Sequence, residues 1–206
     1  MAEESKDITY NASLEKLIGE EAEKCSGLAW LHKKAQAKTG NSNNWITIPT
    51  IVLSTLVGFL SSTSSSLFTN ATNASVGIGA VSLFTGILST VGNYFAFAKR
   101  TEGHRIASIS YSKLARFLEI ELSLPKSERI LAKDLLKITK DQIERLLETS
   151  PAVDDTVIAE YKKVFKDLTD IAHPAETNGL HKVTINSKEF TLPTPKSNIE
   201  VKIMGK

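Results

Sequence analysis

Apolar and polar positions fall into three regimes along this chain. Over residues 13–38, Leu14, Ile18, Ala22, Cys25, Ala29 and His32 recur at helical spacing, and Leu17, Leu28 and Leu31 widen the stripe. Ser13 offers an N-cap, and Lys33, Lys34 and Lys38 sit where the helix dipole favours cations. The stretch Thr39-Gly40-Asn41-Ser42-Asn43-Asn44 predicts a break. Two runs that are apolar on every side follow, at 45–64 and 76–97, joined by a polar, serine-rich loop at 65–75. Amphipathic periodicity then returns. Ile106, Ile109, Leu114, Phe117, Leu118 and Leu122 predict a helix to Leu124, ended by Pro125, with Gly103 as the only earlier stop signal. Ile130, Leu131, Leu135, Ile138, Ile143, Leu146 and Leu147 predict another over 127–150, ended by Pro151. A last helix is expected over 152–171 on Val157, Tyr161, Val164, Leu168 and Ile171, with His173-Pro174 as its stop. From 173 to 206 the pattern changes to alternation around Asn186-Ser187, as in a weak β-hairpin or an extended tail, too short for a core of its own.

Charge sharpens the apolar runs. The 206 residues carry 25 Lys and Arg against 23 Asp and Glu, a net charge of +2, and the mean hydropathy is −0.09. Those averages describe an ordinary soluble protein and exclude a strongly basic nucleic-acid binder. The 60 consecutive residues between Lys38 and Lys99, however, hold no Lys, Arg, Asp, Glu or His. All 48 charges therefore lie in the other 146 residues. The two runs are 20 and 22 residues long, and a helix needs about 20 to cross a hydrocarbon core. Nine Ile, Val, Leu and Phe residues in the first run favour insertion by roughly 3–5 kcal/mol before the opposing cost of its Ser and Thr. Pro49 falls in the first turn of that run, where a missing N–H matters least. Trp45 at one mouth and Tyr94 near the other sit at the usual level of interfacial aromatics.

Orientation follows from the flanks. Lys33, Lys34 and Lys38 precede the first run, Lys99, Arg100 and Arg105 follow the second, and the loop is uncharged, so both termini are expected in the cytosol. The acidic N-terminal tail, 1–12, lacks a cleavable signal pattern, leaving the first run to direct insertion. Asn70 and Asn73 stand in glycosylation sequons that this topology places outside, whereas the sequon at Asn11 is cytosolic and should be silent.

Chemistry is sparse. His32, His104, His173 and His181 lie on four different segments, none at ligand spacing from another His, Cys or Asp. Cys25 reads as a packed thiol on an apolar face. No phosphate loop or nucleophile elbow is present, so we expect no enzyme, no catalytic residue, no metal, no cofactor and no nucleic-acid partner. Trp45, Lys99, Arg100, His104 and Arg105 form the expected interfacial collar; Glu102 to Arg105 could alternatively make a helix–helix ion pair or a gate at a pore mouth. Within the runs, Ser54-x-x-x-Gly58 and Ser82-x-x-x-Gly86-x-x-x-Thr90 place small residues on one face, and Gly79 adds a further site of close approach. Pairing there could be within the hairpin or between copies. Thr50, Ser54, Thr85, Ser89 and Asn93 either line a narrow polar pore in an oligomer or bond to their own helices.

These readings amount to an all-α membrane protein: a two-helix transmembrane hairpin with flanking cytosolic amphipathic helices forming a small bundle, plus a β-prone tail. The segments LAWLHKKAQAK, NNWITIPTIVLSTLVGFLSS, EGHRIASISYSKLARFLEIELSLP and ERLLETSPAV resemble the SLATT family of two-span proteins, and most nearly the versions encoded by nucleocytoplasmic large DNA viruses. The likeness covers roughly residues 14–171 and leaves the tail outside. It implies a membrane protein that contacts lipid and forms homo-oligomers, with two possible roles. One is a structural protein of a virion inner membrane, presenting its cytosolic helices and tail to a capsid or scaffold protein. The other is a pore-forming effector; bacterial relatives of that kind are joined to nucleotide-sensing partners, whereas the viral forms stand alone, as this chain is expected to.

Overall fold

The computed structural model describes residues 8–67 and 71–179, and every regular element among them is an α-helix. They are α1 (Ala12–Leu67), α2 (Ala71–Phe95), α3 (Phe97–Ser123), α4 (Ala132–Thr149), α5 (Asp155–Val164) and α6 (Ala175–Asn178). The alternating segments at 182–193 and 198–204, Asn70 and most of the N-terminal tail lie outside the described residues.

The first amphipathic stretch and the first apolar run are one helix. α1 is 56 residues long, about 84 Å at the helical rise. Its N-terminus is capped by Asn11, whose Oδ1 accepts from Leu14 N at 2.8 Å, rather than by Ser13. The break expected at 39–44 does not occur. Those six residues disfavour a helix by roughly 3–4 kcal/mol relative to alanine, yet their side chains turn back onto the helix. Thr39 Oγ1 donates to Ala35 O at 2.9 Å and Ser42 Oγ to Lys38 O at 3.3 Å. Thr101 Oγ1 donates across to Thr39 Oγ1 at 3.0 Å, so packing against α3 outweighs propensity. Because the helix does not restart at Trp45, Pro49 lies in its interior and not in a first turn. The carbonyl of Trp45 thereby loses its intrahelical donor.

The second apolar run and the helix after it are nearly continuous. A single left-handed residue, Ala96 (φ 48°, ψ 40°), separates α2 from α3. The stop therefore falls seven residues before Gly103, which stays helical. A Cβ on Gly103 would come within 2.8 Å of Pro151 Cγ, so its smallness serves close approach of the α4–α5 connection. Pro125 ends α3 and Pro151 follows α4 as expected, but α4 begins at Ala132, after a turn closed by Glu128 N and Pro125 O at 2.9 Å.

α1 runs antiparallel to α2 and α3 along their length. Leu122 packs beside Gly19, Ser108 Oγ donates to Ala29 O at 2.9 Å, and Ile46 Cγ2 would meet a Cβ on Gly92 at 3.1 Å. The buried core sits between α1 and α3: Ile18, Cys25, Leu28 and Leu31 against Tyr111, Leu114 and Leu118, joined by Leu135 from α4 and by Val157 and Tyr161 from α5. Arg129 latches the outer end. Its guanidinium donates to Leu124 O and Leu122 O, both at 2.8 Å, and to Glu15 Oε1 at 2.6 Å, supplying donors to the open C-terminus of α3.

α5 is shorter than its apolar stripe. Asp154 caps it by accepting from Thr156 N at 2.9 Å, and it ends at Val164, leaving Val164, Leu168 and Ile171 exposed. The chain turns back because His173 has two partners, Tyr161 Oη at 3.1 Å and Leu168 O at 2.9 Å. Pro174 then docks on Gly27, where a Cβ would stand 2.7 Å from its ring.

Candidate functional site

Two helical segments are long and apolar enough to cross a membrane. Almost none of their most apolar stretch is buried within the chain: 0% in α1 and 6% in the second segment. Ile48, Ile51, Val52, Leu56 and Phe59 on α1, and Val76, Leu83, Phe84 and Ile87 on α2, all face outward. Apolar surface of this extent calls for an apolar surrounding. Trp45 and Tyr94 stand at the same end of the hairpin, because Ile46 packs on Gly92, and they are 81% and 82% exposed.

Of the small-residue positions, Gly58, Gly79 and Gly86 have no atom of a neighbouring element within 4 Å of where a Cβ would sit. Ser54, Ser82 and Thr90 are likewise exposed. The hairpin closes elsewhere, around Thr85 and Gly92. These faces therefore do not hold the two helices of one chain together. Ser82, Thr85 and Thr90 donate to the carbonyls of Ile78, Val81 and Gly86, four residues back, at 2.8–2.9 Å. Thr50 does the same to Ile46 O at 2.7 Å, while Thr50, Ser89 and Asn93 also line a cleft of about 420 Å³ with Asn43, Thr47 and Lys99. Asn73 is exposed in the first turn of α2, which, with α1 reaching Leu67, shortens the loop expected at 65–75.

The collar divides. Lys99, Arg100 and Arg105 are exposed, whereas His104 is 1% exposed and belongs to the helix pairing. Glu102 and Arg105 do pair, at 2.7 and 2.8 Å, but within α3 and not between helices. The carboxylate is held below its usual range by the guanidinium, and the guanidinium above its own by the carboxylate.

Two of the histidines, expected to be isolated, meet. His32 Nδ1 and His104 Nδ1 are 2.9 Å apart, buried between α1 and α3, and His32 stacks on Tyr111 at 5.5 Å. Two like nitrogens at that distance share one proton, so one ring is the Nδ1–H tautomer and the other accepts. Burial, reinforced by His104, brings His32 down to about 4. Burial and then the Arg100 charge lower His104. The pair is a neutral interhelix bond, tying α1 to α3 above the Trp45–Tyr94 level. Cys25 is a packed thiol whose burial pushes it up to about 12. Among the described residues no three His, Cys, Asp or Glu side chains converge as a metal would require.

The cations of α1 differ in their partners. Lys34 reaches Glu160 at 2.7 Å and Lys38 reaches Asp154 at 3.1 Å, binding α5 to α1. These two ion pairs join segments more than a hundred residues apart, which periodicity alone does not reveal. No family model, curated protein or solved structure matches the chain.

Proposed function

We propose that this chain is a non-enzymatic two-pass membrane protein that forms homo-oligomers and links a membrane to a protein layer on the side of its charged helices. The observation that carries this reading is α1 itself. A single helix of about 84 Å joins the apolar hairpin to the charged helices without a hinge at 39–44. Force or position at one end is thereby transmitted to the other. The outward small-residue faces at Ser54–Gly58 and Ser82–Thr90 support association between copies, since they have no partner within the hairpin. The basic flanks support both termini on the cytosolic side, and Asn73 would then be outside. The resemblance to virus-encoded SLATT proteins suggests the setting, a virion inner membrane beneath a capsid. Crosslinking mass spectrometry on the native assembly tests it. Lysines on the exposed face of α4, such as Lys137 and Lys140, should crosslink to a shell protein; crosslinks confined to this chain would sink the linking role.

A pore-forming role is the second reading. Thr50, Ser89 and Asn93 lining one cleft at the mouth of the hairpin, among apolar neighbours such as Ile46 and Ile51, is the observation in its favour. Oligomers reconstituted in sealed vesicles should then pass ions, and vesicles that stay tight would exclude it.

A further inference from the structure

We propose that a groove along the α1–α3 seam binds a phosphate-bearing anion. The groove, of about 460 Å³, is lined by Lys33 from α1 and by Arg105, Lys113 and Arg116 from α3. Ser108 and Ser112 lie between these cations, and no carboxylate lines the groove. Arg105, Ser108, Ser112 and Arg116 recur at three- and four-residue steps, so they share one face of α3. Ser108 Oγ is committed to Ala29 O, while the Ser112 side chain is exposed.

The contrast with the neighbouring cations makes the cluster informative. Lys34 and Lys38 are neutralised by carboxylates of α5, and Arg105 is held by Glu102. Among the described residues Lys33, Lys113 and Arg116 have no carboxylate within ion-pair distance. The adjoining outer pocket, which shares Lys33 and Arg116, contains Glu119 as its one acid. Like charges gathered around one concavity repel each other and concentrate a counter-anion there. The free guanidinium fork of Arg116 and the two ammonium groups of Lys33 and Lys113 suit a tetrahedral, many-oxygened group better than a single carboxylate.

Height along the helix defines the two possible sources. From the start of α3 at Phe97, next to the Tyr94 level, Arg105 lies 8 residues on and Arg116 lies 19 on, or about 12 and 28 Å at the helical rise. A phosphorylated lipid headgroup standing on a membrane at the Trp45–Tyr94 level reaches the near end of the groove; a soluble polyphosphate reaches all of it. The lipid source rests on the membrane reading above, and the soluble source does not.

The test uses the full chain. In neutral detergent it is titrated with inositol hexakisphosphate. In phosphatidylcholine nanodiscs it is probed with and without a phosphatidylinositol bisphosphate. We expect saturable, salt-sensitive binding to at least one phosphate probe, weakened about tenfold or more in the Lys33→Gln/Arg116→Gln double variant. Lys140→Gln, on another helix, should bind like the parent. Binding of inositol hexakisphosphate without binding of the nanodisc lipid identifies a soluble source, and binding of the nanodisc lipid identifies a headgroup. The proposal is overturned if neither probe binds or if polyglutamate binds as tightly as the phosphates. It is also overturned if the double variant, folded by circular dichroism, binds as the parent does. Membrane insertion is measured separately by alkaline carbonate extraction, so its failure is not confused with failure of the groove.

Discussion

At the scale of single residues, the buried His32–His104 bond makes the clearest prediction. Both rings are depressed below the ordinary histidine value, so the unfolded chain binds more protons than the folded one once the pH falls below about 6.5. Stability from the pair is therefore complete above that pH and is lost on the way down to about 4, where His32 titrates in the fold. The loss is on the order of 3 kcal/mol. Asp154, held at about 2 first by its bonds to Thr156 and then by Lys38, loses its contribution in a lower window, as pH falls from its unfolded value toward 2. Thermal midpoints measured from pH 7.5 to 4 should decline, and His104→Gln should flatten that decline; an unchanged slope would contradict the depression of His104 by burial. Gly27 gives a steric counterpart. A Cβ there meets the buried Pro174 ring at 2.7 Å and the Tyr161 hydroxyl at 2.9 Å. Gly27→Ala should cost about 1–3 kcal/mol in denaturant unfolding, and a neutral result would show that the α6 segment does not dock as described.

At the scale of elements, what the sequence makes legible depends on whether the deciding contact is local. The apolar runs are legible because 60 residues without a charge need no partner to be recognised. The end of α3 at Pro125 and the end of α4 before Pro151 are equally local. The unbroken α1 is not, because Thr39–Asn44 disfavour a helix on their own and are held by Thr101 and α3. The early end of α5 is hidden for the same reason, since His173 closes onto Tyr161. The histidine pair is also non-local, yet a trace of it exists: His32 lies on the apolar stripe, and placing Trp45 and Tyr94 at one level sets His32 near His104 across an antiparallel hairpin. A continuous α1 predicts a distance. Spin labels at Ser26→Cys and Ile48→Cys in a Cys25→Ser background, both on the N-terminal side of Pro49, are separated by 22 residues of one helix, so pulsed dipolar spectroscopy should give a narrow distribution at about 33 Å. Gly40→Pro should broaden and shorten it. A short, broad distribution in the parent chain would restore the hinge.

At the scale of the whole molecule, the charged and uncharged parts are two ends of one antiparallel pair of helices. The charged end is buried around its own core, whereas the uncharged end is almost wholly exposed. That division is the physical basis for reading the hairpin as membrane-embedded, and it explains why average composition looks soluble. In this reading the hairpin crosses a bilayer with both flanks on one side. Single cysteines at Lys16, Asn73 and Lys140, in a Cys25→Ser background, should be probed with a membrane-impermeant maleimide on sealed microsomes, whose cytosolic face is outward, and again after detergent permeabilisation. Lys16→Cys and Lys140→Cys should be labelled on the sealed vesicles, and Asn73→Cys only after permeabilisation. Labelling of Lys16→Cys and Lys140→Cys at different steps, or of all three positions alike on the sealed vesicles, would contradict that topology.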